Sequence, residues 1–251
     1  MSNAALPTLL NSNMDTYSRA DWHDYYHEVL DLIDSGSRVL DVGSGRGGLA
    51  AWLVEHRGCA VICIDASPDA VAACRAKGLT AHYTDITMSV LPGAPEYDVI
   101  LFCSSMESLI DPLSVARRVR TLLTPAGRLI VWLPNFAYIR ARLGYLRGKA
   151  PKCIGYSASA RRLGIRAYDD VQFFTKSTLA TMLHEAGYGD LEWKFKRNHP
   201  SSNPFLRSIM KISSGLSALP GLRAVRFALS PALCVVARRA PEGTPDGQHD
   251  A

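Results

Sequence analysis

Arg38-Val39-Leu40-Asp41-Val42-Gly43-Ser44-Gly45-Arg46-Gly47-Gly48 decides the fold. A five-residue run with Val39, Leu40 and Val42 enters a cluster of glycines, and the helical pattern LAAWLVEH follows at once. Short apolar runs bounded by turn residues predict buried strands. Glycines let the backbone turn tightly and approach a ligand, and the following helix presents its N-terminal N–H groups. Gly43-x-Gly45-x-x-Gly48 satisfies the G-x-G-x-x-G spacing, which by itself is shared by several nucleotide cofactors.

Working outward, strand and helix alternate. Val61 to Asp65 predicts a second strand and Asp69 to Lys77 a helix. His82 to Asp85 closes a third strand, and Tyr97 to Cys103 is a fourth. Pro112 to Leu123 predicts a helix, Arg128 to Leu133 a fifth strand, and Lys176 to Ala186 a helix ended by Gly187. Leu191 to Lys196 and Leu233 to Arg238 are candidates for the last two strands. Upstream, residues 20–34 place Tyr26, Val29, Leu30 and Ile33 at helical spacing, with Gly36 as the stop. Such alternation predicts an α/β fold with a mostly parallel, doubly wound sheet. Residues 1–14 read as a loose or tag-like terminus, 15–240 as a single domain and 241–251 as a polar tail. Within that domain, 136–170 and 198–230 read as insertions.

Three acids fall at the ends of successive strands: Asp41, Asp65 and Asp85. Asp65 suits a ribose diol, because a carboxylate accepts from both hydroxyls. A carboxylate at Asp41 repels a pyrophosphate but suits an ammonium group, which opposes a nicotinamide cofactor. Asp85 suits an adenine amino group, with Ile86 against the ring. Asp41 and Asp85 also read as turn and cap residues.

The six cysteines form no Cys-x-x-Cys pair and no zinc spacing with histidine, so no metal is expected and a reducing compartment fits. No secretory pattern opens the chain and no apolar run approaches the ~20 residues of a membrane span. A cytoplasmic protein is expected, with a peripheral contact at the inner membrane face as a further reading. The net charge of +5 hides an asymmetry. Residues 138–166 hold eight Lys or Arg and no acid, and 193–241 hold nine and no acid. The rest of the chain keeps 11 of the 28 basic residues against all 23 acidic ones. These stretches read as a solvated face, as a site for an anionic acceptor through arginines such as Arg140 and Arg142, or as a contact with an anionic membrane through 205–230. No nucleic-acid motif accompanies them.

VLDVGSGRG, VICIDASPDAV, HYTDI, YDVILFCSSMESLIDP and LLTPAGRLIVWLPN together resemble, in order, the motifs of class I S-adenosylmethionine-dependent methyltransferases. Within that superfamily, PNFAYIRARLGYLRGKAP and FFTKSTLATMLHEAGY resemble MetW-type methionine-biosynthesis proteins, and equally the methyltransferases of bacterial glycan and lipid-linked sugar pathways. The resemblance implies a Rossmann-like, seven-stranded sheet whose last strand is antiparallel, with a basic insertion after strand five. It implies S-adenosylmethionine as cofactor. Asp41, Gly43, Ser44 and Gly45 would line its methionine half, Asp65 with Ala66 the ribose, Asp85 and Ile86 the adenine, and Cys103 and Ser104 the face below. Many relatives carry Glu-His after the fourth strand, where this chain has Glu107-Ser108, and His before Phe-Phe-Thr, where it has Asp170-Val171-Gln172. Asp170 is therefore the leading candidate to take an acceptor proton, with His23 and His27 as rivals; Tyr25 or Tyr26 would cover the cofactor. Two functions follow: methyl transfer to an oxygen of a small or glycan/lipid-linked anionic acceptor, or a non-catalytic, sensing S-adenosylmethionine-binding partner protein of the MetW type.

Overall fold

The computed structural model describes residues 28–87, 97–148, 171–194, 227–228 and 230–241. Seven strands form one sheet: β1 (Arg38–Val42), β2 (Ala60–Asp65), β3 (Thr80–Tyr83), β4 (Tyr97–Cys103), β5 (Leu123–Pro134), β6 (Tyr188–Lys194) and β7 (Ala232–Arg239). Their order is β3-β2-β1-β4-β5-β7-β6. The first five run parallel, and β7 lies antiparallel between β5 and β6. The expected seven-stranded, mostly parallel sheet with an antiparallel last strand is the observed one.

Alternation along each strand divides the core into two layers. Leu40, Val42, Ile100 and Phe102 pack with Val115, Ala116 and Val119 of α3 (Pro112–Arg120) and with Leu179 and Leu183 of α5 (Lys176–Glu185). Val39, Val61, Cys63, Val99 and Leu101 pack with Leu49, Ala50 and Leu53 of α1 (Gly48–Arg57) and with Val71 and Cys74 of α2 (Pro68–Ala76). Burial on both faces is why the central strands β4, β5 and β7 carry long apolar runs. Caps set the helix starts: the Ser67 hydroxyl accepts from the Ala70 N–H, Asp111 from Ser114, and Thr175 and Thr178 form a capping box.

Several boundaries differ from expectation. The helix expected over 20–34 is helical only at Glu28–Leu30 among the described residues and then passes into turns, yet Val29, Leu30 and Ile33 enter the core as its spacing required. β3 stops at Tyr83, and Asp85 belongs to the turn beyond it. α3 stops at Arg120, where the Thr121 hydroxyl donates to the Arg118 carbonyl. Leu123 then already pairs with Tyr97, and a bulge absorbs the turn-like Thr124-Pro125-Ala126-Gly127 before Arg128 pairs with Val99. β6 begins at Tyr188, three residues earlier than expected. The insertion after β5 opens as helix α4 (Ile139–Leu146). Its residues 149–170, and 198–226 of the second insertion, lie outside the described residues.

Candidate functional site

The connection order reverses between β1, which leads outward to β2 and β3, and β4, which leads to β5. Ligands of open α/β sheets bind at such a point, outside the carboxyl ends of the strands. The glycine turn after β1 sits there. The Gly43 and Ser44 N–H groups both donate to the Ile64 carbonyl, at 2.8 and 3.2 Å. Gly43 has φ 71, and a Cβ on it would fall 2.4 Å from the Ser105 Cβ. Ser105, just beyond β4, donates from its hydroxyl to the Val42 carbonyl at 2.6 Å. The turn is thus pressed between β2 and the β4 exit, and only glycine fits the press.

Asp65 ends β2 and braces the same turn. One carboxylate oxygen accepts from the Gly45 N–H at 2.9 Å and the other from the Ser67 N–H at 2.8 Å. Each oxygen keeps a second lone pair, so the half-buried carboxylate can still receive a diol. Burial raises its pKa, against the N–H groups of Ser67, Gly45 and Ala66, which lower it. Asp65→Ala is expected to weaken cofactor binding by about 1–3 kcal/mol. Freed from the brace, the Gly45 and Ser67 N–H groups would also move, so hydrogen exchange at these two amides should quicken. Unchanged affinity in the folded variant would leave Asp65 as a turn residue only.

Asp41 lies deeper, at 2% exposure. It alternates with Leu40 and Val42 and so shares the face of α1 and α2. Burial, then the Cys74 sulfur and the Asp65 carboxylate, push its pKa up to about 7. Among the described residues neither Asp41 nor Asp65 forms an ion pair. Two carboxyls without a cation, one of them buried, repel a pyrophosphate and suit a ligand bearing ammonium and sulfonium charge. The site therefore fits S-adenosylmethionine better than a dinucleotide.

Cys103 and Ser104 are at the β4 exit. Burial, then the charges of Asp41, Cys234 and Glu107, hold the Cys103 thiol well above its usual range. Ser104 is buried with φ 55, a left-handed conformation rare outside glycine, and its N–H donates to the Trp132 carbonyl at 2.8 Å. Ser44 is half-buried and its hydroxyl lies 3.8 Å from the Cys74 sulfur; Ala66 is also half-buried. Asp85 is exposed, and one of its oxygens accepts from both the N–H and hydroxyl of Thr87, as a turn residue does. Ile86 is 6% exposed and packs into the α3 layer of the core. Arg142 is exposed on α4, whereas the Arg140 side chain, His23, Tyr25, Tyr26, His27 and Asp170 lie outside the described residues.

Sequence reasoning missed three residues. Ser105 holds the glycine turn from 63 positions away, which no local pattern signals. Glu107 is 1% exposed, and its carbonyl accepts from the Val171 and Gln172 N–H groups at 2.9 Å, tying the end of the insertion to the β4 exit. Asn135 is buried; its amide donates to the Phe227 and Ser230 carbonyls and its oxygen accepts from the Ala137 N–H. The only cue to it was its place after Pro134 at a strand end.

A family model described as the methionine biosynthesis protein MetW matches residues 20–158. The chain belongs to the MetW family. The chain is 28% identical to a ubiquinone biosynthesis O-methyltransferase of Aeromonas salmonicida, over 68% of this chain and 70% of that one. Its counterpart from Xylella fastidiosa is 30% identical over 65% of each. A SAM-dependent methyltransferase from Archaeoglobus fulgidus superposes with a TM-score of 0.60 at 14% identity, covering 90% of this chain and 97% of that one. Human N-acetylserotonin methyltransferase, solved in complex with SAM, gives 0.54 at 16% identity, covering 87% of this chain and 52% of that one. At such identities the structures speak for the fold. This MetW-family chain thus shares the fold of S-adenosylmethionine-dependent methyltransferases and is similar in sequence to curated O-methyltransferases.

Proposed function

We propose that the chain transfers the methyl group of S-adenosylmethionine to an oxygen of a small or glycan/lipid-linked anionic acceptor. The observation that carries this is the pair Asp41 and Asp65 at the glycine turn, with the basic insertion leaving the sheet at the same carboxyl edge. The bound cofactor supplies an already activated methyl on its sulfonium, so the protein's tasks are to orient the acceptor and take its proton. Asp41 balances positive charge, and Asp65 fixes the sugar. Asp170 takes the acceptor proton. Two bonds support this: the N–H groups of the next two residues are fastened to the Glu107 carbonyl, four residues beyond the end of β4. The O-methyltransferase names of the curated relatives support an oxygen acceptor.

The second reading is a sensing partner protein of the MetW type. The family match supports it, as does Ser108 in the turn after β4, where many catalytic relatives carry histidine. Production of S-adenosylhomocysteine over a panel of phosphosugar, carboxylated-glycan and lipid-linked acceptors separates the two. Turnover establishes the enzyme, and tight binding without turnover across the panel overturns the first reading. Where turnover is found, Arg140→Glu with Arg142→Glu is expected to raise the acceptor KM about tenfold or more, most strongly at low salt, with cofactor affinity near wild type. An unchanged KM would remove both arginines from the acceptor site.

A further inference from the structure

The outer face of α4 is unlike an ordinary soluble surface. Arg142, Leu143, Leu146 and Arg147 are all exposed, Leu146 at 84% and Leu143 at 43%. At 100° per residue these four positions fall within an arc of about 140°. Ala141, Gly144 and Tyr145 occupy the other side and are half-buried. Among the described residues neither Arg142 nor Arg147 forms an ion pair. No acid occurs in the helix or anywhere from 138 to 166. A soluble surface normally mixes charges of both signs and spares its large aliphatic residues.

The apolar exposure continues beyond the helix. Phe136, three residues before α4, meets the Phe173 ring edge-on, with centroids 4.8 Å apart. Phe173 is 49% exposed and Val171 51%. The Gln172 amide donates to the carbonyl of Ile110, which is 83% exposed. All of these follow the carboxyl ends of β4 and β5 or are bonded to residues that do. Leucines between arginines on a helix face, with no acid near, match the chemistry of an anionic bilayer: aliphatic side chains enter the headgroup boundary and guanidinium groups meet phosphate. No helix among the described residues is long and apolar enough to cross a membrane, so the contact lies in the interface plane.

We propose that the α4 face docks the protein on an anionic phospholipid surface. The carboxyl edge of the sheet then faces the bilayer, and an acceptor with a lipid anchor reaches it without leaving the membrane. That consequence rests on the acceptor reading above, but the docking itself needs neither acceptor nor turnover. The test is co-sedimentation of the full chain with vesicles of phosphatidylcholine alone or mixed with phosphatidylglycerol. Binding is expected on the mixed vesicles, about tenfold or more weaker on the neutral ones, and weaker as salt rises. Leu143→Ser with Leu146→Ser is expected to cut binding about tenfold or more, while circular dichroism and S-adenosylmethionine affinity stay as in wild type. Arg142→Glu with Arg147→Glu tests the charged half independently and should abolish the preference for phosphatidylglycerol. A wild-type chain that stays in the supernatant overturns the proposal. So do variants that sediment like wild type, which would move the contact to another surface such as 205–230. Loss of turnover with vesicle binding intact counts against the acceptor reading alone.

Discussion

Asp41→Asn is expected to stabilise the ligand-free protein above pH 7 and, in the same molecule, to weaken S-adenosylmethionine binding. Burial raises the Asp41 carboxyl from 3.8 to about 7. Between those values the folded chain keeps a proton that the unfolded chain has released. Its contribution to stability is complete below pH 3.8 and is lost as pH rises through 7. The loss approaches about 4 kcal/mol at alkaline pH. Asparagine fills the same space without the charge, so urea unfolding of the variant should vary less between pH 5 and pH 8 than that of wild type. A cationic ligand needs the ionised carboxylate. Wild-type affinity measured by calorimetry should therefore rise from pH 6 to pH 8, and the variant should bind about tenfold or more weakly at pH 8. Wild-type stability as flat as the variant's across that range would mean Asp41 is already ionised at pH 5, and the electrostatic account of the site would fail.

Gly43→Ala is expected to have the other large effect. Its Cβ would meet the Ser105 Cβ at 2.4 Å, and the backbone at φ 71 is left-handed. The conformation alone costs about 1–2 kcal/mol in an L-residue, and the overlap adds about 1–3 kcal/mol more. Relief requires Ser105 to move, which breaks its bond to the Val42 carbonyl and opens the turn. Both the melting temperature and cofactor affinity should fall. Gly45→Ala is the control: its φ is 53, but a Cβ there meets nothing within 4 Å, so it should show the backbone cost alone. Equal destabilisation by the two substitutions would show that the contact with Ser105 is not what selects glycine.

β1, β2 and β4 of the parallel half were legible because each is a mostly apolar run, with glycine following β1 and an acid closing β2. The limits of β5 were not, because Thr124-Pro125-Ala126-Gly127 has turn composition and its inclusion depends on the register of Tyr97 against Leu123. Of the site, the turn and Asp65 could be read directly. The depth of Asp41 could not, since a strand covered on both faces carries no inward and outward alternation of polarity to betray it. Ser105 and Glu107 act through contacts with residues far along the chain, which a single sequence does not record. Asp85 bonded to Thr87 shows that a strand-end acid can fit a ligand pattern and a local turn at once.

The place of β7 bears on how the molecule is made. Residues 232–239 form the strand between β5 and β6, and Leu233, Val235 and Ala237 complete one core layer while Cys234 and Val236 complete the other. A ribosome delivers them after every other element of the sheet. Until then the nascent chain presents two bare strand edges, those of β5 and β6, and two unfinished apolar layers. Closure is thus a late, long-range event that joins both halves of the domain in one step. Ribosomes stalled before codon 232 should carry a protease-sensitive chain, whereas chains completed through Ala240 should resist.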